Sequence, residues 1–304
     1  MNFRLDRLAT LYFFHPLQKI YSNTLQIPIL MYHSISEDTE NGANPYYRTS
    51  TSPGVFAMHM KYLNDNNYKA ISLSEAVNLF SNQSISQPSC QSSNYVVITF
   101  DDGFRDFYTN FPILNQYGFT ATIFLPTDFI NDTHKNKFKG KDCLSWSEVC
   151  ELRKKGVIFG SHTATHPQLK LLKKNEIEYE LKQSKDTIEE HISEPIESFS
   201  YPYAFPEEDR EFIVYLRALL EECGYKNGVS TRIGTTKNGE GKFFLQRIPV
   251  NSCDDIPLFE AKLKGAYDWL HAVQYSAKSV KIYWGFAGRA GQDGHRNKKS
   301  LRGS

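Results

Sequence analysis

The chain has 304 residues, room for one large α/β domain or two small ones. At 40% hydrophobic and 14% aromatic it can build a sizeable core, which excludes disorder for the bulk of it. A formal charge of +1 excludes a dedicated nucleic-acid binder, which carries a clear basic excess, so the expected substrate is neutral or recognised by groups other than bulk charge.

Arg4 and Arg7 open a short apolar run, Leu8 to Phe14, that ends at His15-Pro16 without the small-residue cleavage site of a signal peptide. No run approaches the roughly 18 apolar residues of a membrane span. The default reading is a cytoplasmic protein with residues 1–24 as an N-terminal extension, a secreted or envelope-associated location being the alternative. The five cysteines are odd in number and lack CxxC spacing, so they read as free thiols rather than a disulfide framework or zinc knuckle.

Along the chain, short apolar runs bounded by turn signals alternate with helical stretches. The first predicted strand spans 27–33. Ser52-Pro53 then supplies an N-cap and a proline at the first helical position, with Phe56, Met60 and Leu63 on one face. Residues 81–94, rich in Ser, Gln and Asn, read as an exposed loop. Strands follow at 95–100, 119–125 and 157–161. Asn175 is the expected cap of a helix, with Glu178 reaching back and Ile177, Leu181, Ile188 and Ile192 as its apolar stripe. A strand at 198–201, a helix over about 207–223, strands at 227–231 and 244–248, and a helix over about 254–270 complete the series. Several strands are continuous apolar runs, as strands buried on both faces should be. This alternation predicts a parallel barrel or a doubly wound sheet in a single domain, residues 25–285. Residues 286–304, rich in Gly, Arg and Lys, read as a disordered tail.

Functional groups of parallel α/β folds collect where strands end. Asp101 and Asp102 follow the strand 95–100 directly, and Gly103 permits a sharp exit. Adjacent carboxylates leaving a strand point in different directions, so one can bind a metal while the other faces substrate. Asp-Asp-Gly also fits a plain turn with a helix cap. His162 and His166 follow the strand 157–161, and one turn of helix would bring both imidazoles to one side. With Asp102 they would form a two-His-one-carboxylate set with positions open for water and substrate, as a catalytic zinc site requires. Alone, the pair equally fits two surface histidines.

Thr99-Phe100-Asp101-Asp102-Gly103 together with Ser161-His162-Thr163 and His166 resembles the polysaccharide deacetylases of carbohydrate esterase family 4, over about residues 27–250. The resemblance implies a distorted (β/α)7 barrel. It implies Asp101 as general base, and Asp102, His162 and His166 as ligands of a divalent metal ion, most often zinc. The third family motif falls on Ser200-Tyr201-Pro202-Tyr203, which implies that the Tyr203 backbone N–H stabilises the oxyanion. Two departures stand out. Ser200 occupies the place of the base-orienting arginine, and Arg247, at the end of a later strand, is a candidate substitute or simply a structural arginine. The late histidine that serves as acid is also missing. However, Ile29-Leu30-Met31-Tyr32-His33-Ser34 resembles the opening motif of the poly-N-acetylglucosamine deacetylase branch, where an early histidine supplies the acid, and this implies His33 for that role.

The expected activity is metal-dependent removal of N-acetyl groups from an N-acetylated carbohydrate, a hydrolysis of carbon–nitrogen bonds other than peptide bonds. Two alternatives stay open: a non-catalytic carbohydrate-binding scaffold, motivated by the altered arginine position, and a metal-dependent hydrolase of another linear or cyclic amide. Tyr46, Tyr47, Trp146 and Phe205 are aromatic residues that could flank a sugar or simply pack.

Overall fold

The computed structural model describes residues 4–17, 26–82 apart from 39, 41 and 42, 94–133, and 137–276 apart from 238 and 240. Most of the predicted loop at 81–94 and the whole predicted tail at 286–304 lie outside the described residues.

Seven parallel strands close into a barrel: β1 (Ile29–Tyr32), β2 (Asn94–Phe100), β3 (Thr122–Leu125), β4 (Ile158–Ser161), β5 (Ser198–Ser200), β6 (Asn227–Ile233) and β7 (Leu245–Pro249). The order around the ring is β1-β7-β6-β5-β4-β3-β2, and pairing of Ile29–Tyr32 with Val97–Phe100 closes it. Each predicted strand is present, although β3 begins at Thr122 rather than Phe119. The short strand Tyr68–Ala70 adds to the N-terminal part of β2 outside the ring.

Alternation along each strand divides the apolar residues into two clusters. Ile29, Val97, Phe124, Val229 and Leu245 pack together within the ring, with Leu73 and Ala76 of a helix at Leu73–Asn82 against them. Their neighbours of opposite parity, including Leu30, Ile98, Ile123, Phe199 and Ile248, pack outward on the helices. The inward-facing series also carries His33, Asp101, His162 and Ser200 at or beyond the strand ends, and Arg247 within β7.

Helix α1 (Pro53–Asp65) starts as predicted, with the Ser52 hydroxyl accepting from the Val55 N–H and with Phe56, Met60 and Leu63 buried. Helix α2 (Lys174–Ile192) starts earlier than predicted. The Glu176 carboxylate accepts the Lys173 N–H at 2.7 Å, so Asn175 lies inside the first turn instead of capping it. Helices α3 (Arg210–Glu222) and α4 (Ile256–Leu263) are shorter than predicted, set by caps at Asp209 and Asp255 and, for α4, by the left-handed Gly265 soon after its end. The described part of the N-terminal segment is helical and docks on the barrel domain. Arg4 donates to the Cys253 carbonyl, Arg7 pairs with Asp255, and Phe14 stacks on Trp269 at 4.9 Å. Among the described residues no helix is long and apolar enough to cross a membrane.

Gly160, in the middle of β4, sits where the interior is tightly filled. A Cβ there would lie 2.7 Å from the Phe124 ring and 2.7 Å from the Ser198 carbonyl oxygen. Gly160→Val should destabilise the fold by about 1–3 kcal/mol through overpacking, read as a lowered Tm. An unchanged Tm would show that the interior can yield there.

Candidate active site

β2 ends at Phe100, yet the Asp101 N–H still donates to the Tyr32 carbonyl of β1 at 3.0 Å, so the sheet ladder fixes where the chain leaves the barrel. Asp102 then adopts left-handed backbone, φ 71°, and the two successive carboxylates diverge. Asp101 turns toward Arg247. The guanidinium donates to both carboxylate oxygens, at 2.8 and 2.7 Å, and both residues are buried, at 2% and 0% exposure. Arg247 is itself held by the Ser230 carbonyl, the Thr99 hydroxyl and the Ser200 hydroxyl. The small Ser200 side chain also donates to Asp101 at 3.2 Å. The arginine that meets Asp101 thus comes from β7 and not from the Ser200–Tyr203 segment.

His162 and His166 lie together as predicted, but not on a helix. Thr163 and His166 have φ of 70° and 56°, so the segment after β4 is a tight loop with left-handed turns. Glu180 of α2 holds that loop, accepting the Ala164 and Thr165 N–H groups at 2.9 and 2.8 Å and the Thr165 hydroxyl at 2.7 Å. The Thr163 hydroxyl accepts the His166 N–H at 3.0 Å. Glu180 escaped the sequence analysis, although a carboxylate between Ile177 and Leu181 on an apolar helix face was the available signal.

His162 Nδ1 donates to the Ser200 carbonyl at 2.8 Å, which directs the Nε2 lone pair inward. That nitrogen lies 3.7 Å from Asp102 Oδ1, and His166 Nε2 lies 3.3 Å from the same oxygen. Asp102 Oδ1 is buried without a hydrogen-bond partner. Two ligands held tetrahedrally by zinc at about 2.1 Å stand roughly 3.4 Å apart, so these spacings suit one shared ion. Ligand atoms of Asp102, His162 and His166 all fall within 4.8 Å of one another, and among the described residues they are the group of this kind. Cys143 lies close by, its Sγ 3.8 Å from the Asp102 carbonyl, and burial pushes its thiol up to about 12. A contact the sequence did not reveal completes the surroundings: Lys139 Nζ lies 2.9 Å from Asp102 Oδ2.

Burial opposes ionisation of Asp101, but the Arg247 charge, helped by His162, holds its carboxyl well below the usual carboxylate range. Burial also opposes ionisation of Asp102, and the close approach of His166, with His33 and Lys139 nearby, lowers it too. His162 goes down to about 4, because desolvation of the imidazolium outweighs attraction by Asp101. The result is two ionised carboxylates beside a neutral imidazole, the protonation state a metal site needs.

His33 follows β1 on the same rim. Burial lowers its basicity, opposed by the nearby charges of Asp102 and Asp101. Tyr203 has φ 59° and sets its half-exposed ring 4.7 Å from that of His166, with its carbonyl accepting from Thr231. Of the four aromatic candidates, Trp146 and Phe205 are packing residues. Trp146 is buried against His191 and Phe205 against Tyr201 and Phe244. Tyr47 is exposed beside Tyr46.

A closed parallel barrel whose rim joins an arginine-paired carboxylate to a prospective metal triad defines the class of protein. Residues 89–228 match the family model described as polysaccharide deacetylase. Over 227 residues the chain is 30% identical to YxkH of Bacillus subtilis (strain 168), assigned as a polysaccharide deacetylase, which covers 74% of this chain and 72% of that protein. The chain belongs to the polysaccharide deacetylase family, as its motifs led us to expect. Among solved structures, the Streptococcus pyogenes deacetylase PplD in complex with acetate is similar, with a TM-score of 0.65 and 24% identity over 79% of this chain and 99% of that one. IcaB from Ammonifex degensii gives a TM-score of 0.63 at 20% identity, over 79% of this chain and 97% of that one. At these identities the likeness concerns the fold, and it agrees with the (β/α)7 barrel described above.

Because burial lowers His162, the folded chain binds fewer protons than the unfolded chain between roughly pH 4 and pH 6.5. This contribution to stability is complete above the unfolded value and is lost as pH falls. In chelator, the native protein should therefore lose more Tm between about pH 7 and about pH 4.5 than His162→Gln does. Equal slopes for the two would show that His162 is not held neutral.

Proposed function

We propose that this protein is a metal-dependent hydrolase that removes N-acetyl groups from an N-acetylated sugar polymer or oligosaccharide and releases acetate. The observation that carries the reading is a buried carboxylate, Asp101, kept ionised by Arg247 next to Asp102, His162 and His166. A binding scaffold has no need for such an arrangement, because burying an ion pair costs desolvation that packed apolar residues would avoid. Membership of the polysaccharide deacetylase family supports the same reading.

A divalent ion held by Asp102, His162 and His166, with zinc best matched by the donor set, would polarise the acetamide carbonyl and acidify water. Asp101 then accepts the proton of the attacking water as its oxygen bonds to the carbonyl carbon. The Arg247 pairing fixes that carboxylate and keeps it unprotonated until the reaction needs it. The Tyr203 N–H donates to the oxygen that gains charge as the tetrahedral centre forms. His33, in its protonated form, donates to the sugar nitrogen as the carbon–nitrogen bond breaks, leaving a free amine and acetate. The buried surroundings of His33 favour giving up that proton.

The test is acetate release from defined N-acetylglucosamine oligomers. Asp101→Asn should lower turnover by about 10²–10⁴-fold, the usual worth of a proton-transfer group, with metal content unchanged. His162→Ala should lose both the metal and the activity. Near-normal acetate release by Asp101→Asn would show that another group is the base.

A further inference from the structure

Residues 137–142 form a hairpin that lies on the turn bearing Asp102. Lys137–Phe138 pairs antiparallel with Lys141–Asp142, and the two residues between them, Lys139 and Gly140, have φ of 50° and 79°. Consecutive left-handed residues make a type I′ turn, whose first position normally takes Asn, Asp or Gly, because a side chain such as lysine is strained there. The hairpin is firmly attached. The Arg105 N–H donates to the Asp142 carbonyl and the Leu144 N–H to the Gly103 carbonyl, both at 2.9 Å. Lys141 Nζ reaches the Ser34 and Ser50 hydroxyls at 2.9 and 3.0 Å. Phe138 sets its ring 4.9 Å from that of His166.

From this attached and strained position, Lys139 extends over the Phe138 ring, with its Nζ 4.7 Å from the ring centroid, to Asp102 Oδ2. It meets the oxygen that the histidines do not share. The other oxygen, Oδ1, faces both imidazoles and is left without a hydrogen-bond partner. We propose that Lys139 is a positioning residue that holds Asp102 Oδ2, so that Oδ1 alone is presented to the ion; this rests on the metal site of the proposed function. The ammonium's contact is with Oδ2, whereas both imidazoles face Oδ1. The ammonium end of the pair is half-exposed, whereas the carboxylate it meets is buried. Partners that orient ligands from behind typically govern metal affinity by about 10–100-fold.

Lys139→Asn tests this, because asparagine suits the left-handed turn and removes the ammonium together with the stem that carries it to Asp102. Zinc affinity of the full chain is measured by competition with a chromophoric chelator, and coordination by the visible absorption of the cobalt(II)-loaded protein. The native chain should bind zinc, and Lys139→Asn should bind it about 10–100-fold more weakly. Its cobalt bands should shift, because Asp102 becomes free to bind through both oxygens. Native-like or tighter zinc affinity in Lys139→Asn, with an unchanged cobalt spectrum, would overturn the proposal while leaving the metal site intact. Absence of zinc binding by the native chain would overturn both.

Discussion

The bidentate pairing of Asp101 with Arg247 is the interaction on which the rest of the site depends. Both charges are withdrawn from water, and each is tolerable only because the other is present. The pair spans the mouth of the ring, from the end of β2 to β7, and can form only if the strands close in the observed order. The groups around it are small and polar: Thr99, Ser200 and the Ser230 carbonyl use the remaining donors of the guanidinium without filling the space it needs. Serine at position 200 is therefore consistent with an arginine arriving from another strand. One requirement, an ionised and immobile carboxylate, is met from a different place in the chain.

The proposed metal ligands rest on a second layer that is just as specific. His162 is oriented by a carbonyl of β5, the loop through His166 is gripped by Glu180 of α2, and Asp102 is met by Lys139 from the hairpin. These supports come from separate segments, so the site is assembled only when the barrel, α2 and the hairpin are all in place. The left-handed residues Asp102, Thr163, His166 and Tyr203 all lie at this rim. Such backbone is costly for residues with side chains and is found where surrounding structure compels it. Here the compulsion comes from the requirement that carboxylate and imidazoles converge.

The strands were legible in the sequence because a parallel barrel buries both faces, and continuous apolar runs such as Val96 to Phe100 mark it plainly. The proposed ligand residues were legible because they stand directly after strand ends. Their local geometry was not. An H-x3-H spacing suggests a helical turn, and only Glu180 and Thr163 make the loop conformation preferable. Arg247 could be nominated by its place at a late strand end, but nothing local distinguishes a buried partner from a surface arginine. Lys139 lies among alternating lysines that carry no motif, and its proposed role depends on a turn that brings it across to Asp102. Supports of this kind are contacts between distant segments, and sequence patterns report mainly what happens within a segment.

The most direct test of the account is the pH dependence of kcat/KM for acetate release in Arg247→Met beside the native enzyme. Without its cation, Asp101 stays buried but gains a higher affinity for protons, so the acidic limb of the profile should move to higher pH. Native-like activity with an unmoved acidic limb would show that Arg247 does not hold the base, and that the pairing on which this description rests is not what the chemistry uses.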